Sequence, residues 1–177
     1  LPRVHSFMLD KLDFAEVGVA GGKLAEAGRQ TSAVFQAGDV FFIVCAPRGE
    51  GGRAWRFLRK HPEGVGTLIF EVEDIDHTFR LIEERGGTPI TDVQRFNDDS
   101  GTLAMFSITT PFGDTTFRFV ERRGFATLFP GIEPHPKPIG GQNAHRFQRI
   151  DHVTSNFQTM APALLWMEHV MGMERFW

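Results

Sequence analysis

The stretch GVGTLIFEVEDIDHTFRLIEERGG, residues 64–87, predicts a strand followed directly by a helix. Its first part, Val65–Val72, is a short apolar run typical of a buried strand. Asp74 or Asp76 then stands where a helix N-cap belongs. The helix that follows has one apolar face, and two glycines end it. That face is formed by residues spaced at i, i+4 and i+7: Ile75, Phe79 and Ile82.

Three further strands follow this helix. The apolar segments Ile90–Phe96, Ala104–Thr109 and Thr115–Val120 are separated by turn-forming runs rich in Asn, Asp, Gly and Pro. The order is therefore strand, helix and three strands in a meander, which predicts an α+β fold built from a βαβββ unit.

The residues before this unit predict another set of strands. Leu12–Ala20 is the first of them, and Gly21-Gly22 follows at once. So short a connection permits a hairpin but no parallel return. Cys45 falls in an apolar strand, where we expect a buried and unreactive thiol. The later strand-like segments are Lys23–Arg29, Thr31–Gln36 and Asp39–Ala46.

A Pro-rich segment, Phe129–Gly141, indicates a boundary. We therefore predict a module over 1–130, a linker over 131–148, and the start of a second module over 149–177. The second module begins with a strand, Arg149–Asn156, and continues with a helix, Thr159–Val170. A lone strand and helix cannot bury both their faces, so this module is expected to be incomplete.

Composition and charge exclude several kinds of partner. A net charge of -3 gives no electrostatic reason to expect nucleic acid or an anionic membrane surface. The one cysteine excludes an internal disulfide and fits a reducing compartment. The longest apolar run near it is far too short to span a bilayer. These features predict a soluble cytoplasmic protein.

The histidines are the candidate metal ligands, although no close His-x-x-x-His pair or cysteine cluster occurs. His152 stands in the middle of RIDHVTSN, residues 149–156. It is either a ligand or a polar residue on the solvated side of a strand, and spacing alone favours the second interpretation. His135 and His145 lie in or beside the linker, and we expect both to be solvated. His77, near a helix start, is also expected to be exposed.

Residues 64–87, together with four later motifs, resemble the N-terminal half of 4-hydroxyphenylpyruvate dioxygenases. The resemblance covers most of the chain from Asp39 onward. The motifs are specific as an ordered set, and none is specific alone. They are FGDTTFRFVER (112–122), FATLFPGIEP (125–134), RIDHVTSN (149–156) and MGMERFW (171–177).

The resemblance implies paired modules of the vicinal-oxygen-chelate or glyoxalase-like type, each made of two βαβββ units. In the family, the C-terminal module binds non-haem Fe(II) through two histidines and a glutamate. The first of these histidines lies in the "IDH" strand and corresponds to His152. A triad of this kind leaves iron positions open for a 2-oxo acid and O2. It implies oxidative decarboxylation and ring hydroxylation of 4-hydroxyphenylpyruvate to homogentisate, in tyrosine catabolism, by a homo-oligomer.

Two alternatives share this fold. The first is 4-hydroxymandelate synthase, which oxidises the benzylic carbon of the same substrate. The second is a non-catalytic small-molecule-binding protein. The corresponding positions of the N-terminal module are Phe14, Thr67 and Arg118, which cannot ligate iron in the normal way, so this module is expected to be metal-free. No catalytic side chain is assigned.

Two departures from the family pattern concern missing parts. The other two iron ligands are expected beyond Trp177, so these 177 residues alone are predicted to be inactive. The family has a crossover helix after its first strand, where this chain has only Gly21-Gly22. Either a hairpin replaces that helix or residues are missing there, and the family-like flanking segments favour missing residues.

Overall fold

The computed structural model describes residues 2–175 and divides into two compact units. The first unit comprises the chain up to Glu63 together with Thr127–Val153, and the second comprises Gly64–Ala126 and the residues from Thr154 onward. The helices are α1 (Pro2–Ser6), continued by a π-helical turn over Phe7–Lys11, α2 (Gly22–Gly28), α3 (Arg53–Leu58), α4 (Ile75–Glu84) and α5 (Ala161–His169). The strands are β1 (Ala15–Ala20), β2 (Gln30–Ala37), β3 (Val40–Pro47), β4 (Thr67–Glu71), β5 (Gln94–Asp98), β6 (Gly101–Ile108), β7 (Thr116–Arg123) and β8 (Ile132–Ile139).

The second unit has the predicted βαβββ order. Its sheet runs β4-β7-β6-β5, with β4 parallel to β7 and the other neighbours antiparallel. The parallel pair is possible because α4 and the meander lie between β4 and β7 in the chain. Ile75 and Ile82 of the predicted helical stripe are buried, and Phe79 packs against the same core. The α+β prediction is confirmed.

Asp74 is the N-cap of α4. Its Oδ1 accepts the backbone N–H of His77 at 2.8 Å, and this bond is the main reason why the pKa of Asp74 lies below its ordinary value of 3.8. A cap of this kind satisfies one of the free N–H groups of the first helical turn.

We expect Asp74→Ala to lower the free energy of unfolding at neutral pH. A carboxyl group whose pKa is lowered by folding contributes stability above its unfolded pKa and loses it as the pH falls through the folded value. The difference between the two proteins should therefore shrink as the pH drops below 3.8. Urea unfolding across an acidic pH series measures it. Asp74→Asn is the control, because its amide oxygen still caps the helix but does not titrate; a constant difference between wild type and Asp74→Ala at all pH values would contradict the assignment.

In the first unit the sheet order is β3-β2-β1-β8, and all neighbours are antiparallel. The prediction of a strand over Lys23–Arg29 is wrong, because most of that segment forms α2. Its interior, KLAEA, consists of strong helix formers. Arg29 ends the helix with φ 48° and leads into β2. A short helix therefore joins β1 to its antiparallel neighbour, and no tight glycine turn is needed.

The first part of the predicted linker over 131–148 belongs to a β-sheet. Ile132–Ile139 forms β8, an edge strand beside β1. The register of the β1–β8 pairing shifts between Glu16 and Gly18, and the prolines after Pro134 lie in this irregular part of β8. A bulge in an edge strand is a place where a β-strand tolerates proline. The division into 1–130, 131–148 and 149–177 concerns the modules of the intact protein and stays a prediction.

The later part of this segment is also held to the first unit. The Asp13 carboxylate accepts the backbone N–H groups of Gln142 and Ala144 at 3.0 and 2.7 Å. These bonds, chiefly the one from Ala144, lower the pKa of Asp13. Close by, the ring of Phe147 lies 5.3 Å from that of Phe14. Composition indicated an extended chain here but could not show what the chain docks against.

Two further expectations are corrected. Residues 149–156 form no strand, and Ile150 and Val153 are more than half exposed. The described part of the chain provides no neighbouring strand to pair with this segment, and an unpaired strand is not stable in water. Cys45 is exposed: it lies on β3, an edge strand that has only one buried residue, Val40. The predicted helix after this segment is confirmed as α5, with proline in its first turn.

Candidate functional site

His152, the predicted iron ligand, lies on the exposed segment between β8 and α5. Its side chain is 74% exposed, and its Nδ1 lies 2.8 Å from Oδ2 of Asp151. No group of three His, Cys, Asp or Glu side chains within residues 2–175 is arranged to hold a metal ion. The role of His152 as a ligand therefore stays a prediction that the described residues alone do not test.

The three positions that correspond to ligands have ordinary structural roles. Phe14 is 2% exposed and lies in the core of the first unit. In the second unit, Thr67 Oγ1 lies 3.1 Å from its cross-strand partner, Thr116 Oγ1. Arg118 Nε donates to the Ser107 hydroxyl at 3.1 Å, again across a strand pair. Each of these three side chains either packs in the core of its own unit or contacts a side chain on a neighbouring strand of that unit.

The first unit contains a polar cluster that the sequence analysis did not predict. The Glu16 side chain on β1 is only 8% exposed. Its Oε2 contacts His5 Nε2, and its Oε1 lies 2.8 Å from His135 Nε2. The expectation that His135 is solvated is therefore wrong, since its side chain is 21% exposed and contacts a buried carboxylate. His77, by contrast, is exposed as predicted.

Three separate segments bring the cluster together: α1 provides His5, β1 provides Glu16 and β8 provides His135. The ring of His5 also lies 5.4 Å from that of Phe35, which fixes the edge of the imidazole against the core. With Nε2 protonated, each imidazole donates to one carboxylate oxygen and has Nδ1 as an acceptor. The buried charge is thus compensated by two hydrogen bonds.

Glu16 and His5 form one wall of a cavity of about 260 Å³. The other lining residues are small or apolar side chains and two hydroxyls: Val19, Ala20, Thr31, Ser32 and Ala33. Ser32 Oγ also lies 3.2 Å from Cys45 Sγ. The one sequence signal for this site is a glutamate inside an otherwise apolar strand, AEVGVA. The contact between positions 16 and 135 spans 119 residues and has no local signature.

Among residues 2–175, no helix is long and apolar enough to cross a membrane.

No protein-family model matches the chain. A 4-hydroxyphenylpyruvate dioxygenase of Caenorhabditis briggsae is 30% identical over 146 residues, which cover 78% of this chain and 36% of that protein. One from Dictyostelium discoideum is 23% identical over a match that covers 97% of this chain and 48% of that protein. The chain thus spans about half the length, or less, of the curated relatives it matches.

The alignment with the dioxygenase of Coccidioides posadasii extends over 200 residues, more than the 177 of this chain. That relative therefore contains residues, inside the matched region, that this chain lacks. The expectation of missing residues near Gly21 stays a prediction.

Solved structures share the fold. A mutant of 4-hydroxymandelate synthase from Streptomyces coelicolor superposes with a TM-score of 0.76 at 18% identity, covering 99% of this chain and 50% of that one. Methylmalonyl-CoA epimerase from Mycobacterium tuberculosis gives a TM-score of 0.55 at 17% identity, over 69% of this chain and 79% of that one. Two four-stranded sheets with these neighbours define a vicinal-oxygen-chelate, or glyoxalase-like, fold.

Within that fold class the relationship is more specific. The chain is a distant homologue of the N-terminal half of the 4-hydroxyphenylpyruvate dioxygenases.

Proposed function

We propose that the intact protein to which this chain belongs is an Fe(II)-dependent 4-hydroxyphenylpyruvate dioxygenase. It would convert 4-hydroxyphenylpyruvate and O2 into homogentisate and CO2, as a homo-oligomer. The observation that carries the proposal is homology to dioxygenases of that name over 97% of the chain, with the ordered motifs from Gly64 to the chain end.

His152 is proposed as one of three iron ligands. The chemistry of its surroundings fits this role, because Asp151 Oδ2 lies 2.8 Å from Nδ1 and Nε2 is left for a metal. Metal-bound histidines commonly direct their other ring nitrogen to a carboxylate, which fixes the tautomer and the ring orientation. One imidazole does not make an iron site, and in this proposal the other two ligands lie outside this chain.

Iron bound in such a facial site supplies open positions for a 2-oxo acid and O2. The residues of this chain contribute support. Phe14, Thr67 and Arg118 are engaged in packing or cross-strand bonds, which suits a metal-free module that packs and assembles. In this proposal the chain holds one ligand in place by the Asp151 contact and gives the intact protein its N-terminal scaffold.

The test is an assay of the intact protein with Fe(II), ascorbate and 4-hydroxyphenylpyruvate. We expect CO2 and homogentisate in equal amounts. Absence of both products from a folded, iron-loaded protein would refute the proposed activity.

The same assay separates the alternatives. A 4-hydroxymandelate synthase, the kind of enzyme found among the structural neighbours, would release CO2 with 4-hydroxymandelate. A non-catalytic binding protein would form neither product and would purify without stoichiometric iron.

A further inference from the structure

The cluster of Glu16, His5 and His135 belongs to the first unit and does not include His152, the proposed iron ligand. Its carboxylate is 8% exposed, and the two imidazoles contact different oxygens of it. Two of the three side chains, His5 and Glu16, line the cavity of about 260 Å³. A charged group is thus buried at the wall of a space large enough for a small organic molecule.

Structural support alone is a poor explanation for this arrangement. Well-packed apolar side chains hold buried elements together as well as ionic groups do, and often better. Here the polar group instead borders a space that is also lined by the apolar side chains of Val19 and Ala33. An apolar cavity with a few convergent polar groups is the usual form of a small-molecule site.

The polar groups at the wall determine what kind of head group fits. With both Nε2 atoms donating to Glu16, the wall offers the remaining carboxylate lone pairs and the Nδ1 acceptor of His5. Glu16 is the one acidic residue among the described residues that line the cavity. Thr31 and Ser32 also line the cavity, although the Thr31 hydroxyl donates to the Ala46 carbonyl and the Ser32 hydroxyl contacts Cys45. None of the described residues that line the cavity is Lys or Arg.

We propose that this cavity binds a small primary ammonium compound, with the ammonium at Glu16 and an apolar body against Val19 and Ala33, which lie on the same face of the sheet as Glu16. An ammonium group has three donors and no acceptor, which matches a wall rich in acceptors. Its charge compensates the buried carboxylate through a charge-assisted hydrogen bond. A carboxylate ligand would meet like charge at the same wall.

Three probes of similar size test the choice of head group: benzylamine, benzyl alcohol and benzoate. They are titrated calorimetrically into the intact protein at neutral pH, with a chelator present to remove metal ions. We expect saturable binding of benzylamine and weaker binding of benzoate by at least about tenfold, a factor that corresponds to roughly 1.4 kcal/mol. Benzoate binding as tightly as benzylamine, or no saturable benzylamine binding, would overturn the proposal.

Variants locate the binding. Glu16→Gln removes the charge, and Val19→Phe narrows the cavity on the face of the sheet that carries Glu16, because Glu16 pairs with Phe35 and Val19 with Ala33. Each should weaken benzylamine by at least about tenfold, and Glu26→Gln, an exposed charge change on α2, should leave it unchanged. Thermal unfolding checks that each variant is folded. Should Glu16→Gln fail to fold, Val19→Phe and the probe comparison still decide; unchanged affinity in a folded Val19→Phe variant would place the binding elsewhere and refute the site.

Discussion

Phe106→Ala is expected to destabilise the second unit by about 3–5 kcal/mol, the usual range for a buried phenylalanine truncated to alanine. Phe106 lies on β6, an inner strand of its sheet, and is 1% exposed. Its ring lies 5.0 Å from that of Phe119 and 5.0 Å from that of Phe79. The truncation therefore removes buried area and two aromatic contacts, and leaves a cavity in a core that cannot fully collapse.

Chemical unfolding followed by circular dichroism measures this loss. The matched control is Phe41→Ala, which makes the same chemical change on a side chain that is 40% exposed. We expect the control to cost clearly less than Phe106→Ala, because less of the Phe41 side chain is removed from water. Equal losses in the two variants would mean that the aromatic core of the second unit does not carry its stability.

The second unit could be predicted from sequence because its signals are local. The apolar stripe of Ile75, Phe79 and Ile82 has helical spacing. Asp74 is a cap that acts within one turn. Once the order strand, helix and three strands is known, the long connection permits β4 and β7 to lie parallel, and the short turns require the antiparallel neighbours.

The first unit is harder to predict from sequence, because its structure depends on contacts between residues that lie far apart in the chain. The segment after Gly21-Gly22 has helix formers in its interior, and the prediction of a strand gave too little weight to them. The Pro-rich segment is extended, as its composition indicates, but its place beside β1 depends on residues more than a hundred positions earlier. An edge strand with prolines cannot be told from a linker by composition alone.

The candidate sites are also hard to predict from sequence, because the contacts that form them leave little local signal. His152 was singled out by family resemblance, because an isolated histidine in an exposed segment has no distinguishing pattern of its own. The carboxylate of Glu16 has a weak signal, a charge within an apolar strand. Its partners His5 and His135 come from α1 and from β8, a strand that neighbours β1 in the sheet although His135 lies 119 residues after Glu16 in the chain. Only the folded chain brings the three side chains together.

His152→Ala is expected to remove both iron and homogentisate formation from the intact protein. The physical reason is that a three-ligand site that loses one imidazole retains only two protein ligands, too few to hold Fe(II) firmly. Iron content measured after dialysis and product formation should fall together. His77→Ala is the matched control, since it removes an exposed histidine from the first turn of α4 and should change neither quantity.

Asp151→Asn separates a ligand from a merely exposed histidine. The carboxylate lies 2.8 Å from His152 Nδ1, and loss of such an outer contact to a metal-bound histidine typically weakens metal affinity by about 10–100-fold. Asp151 is 82% exposed, so an effect on folding is not expected. If His152 binds iron, Asp151→Asn should therefore lower iron affinity at unchanged unfolding midpoint, less severely than His152→Ala. If both variants retain full iron content and activity, His152 is a solvated residue and the iron ligands lie entirely outside this chain.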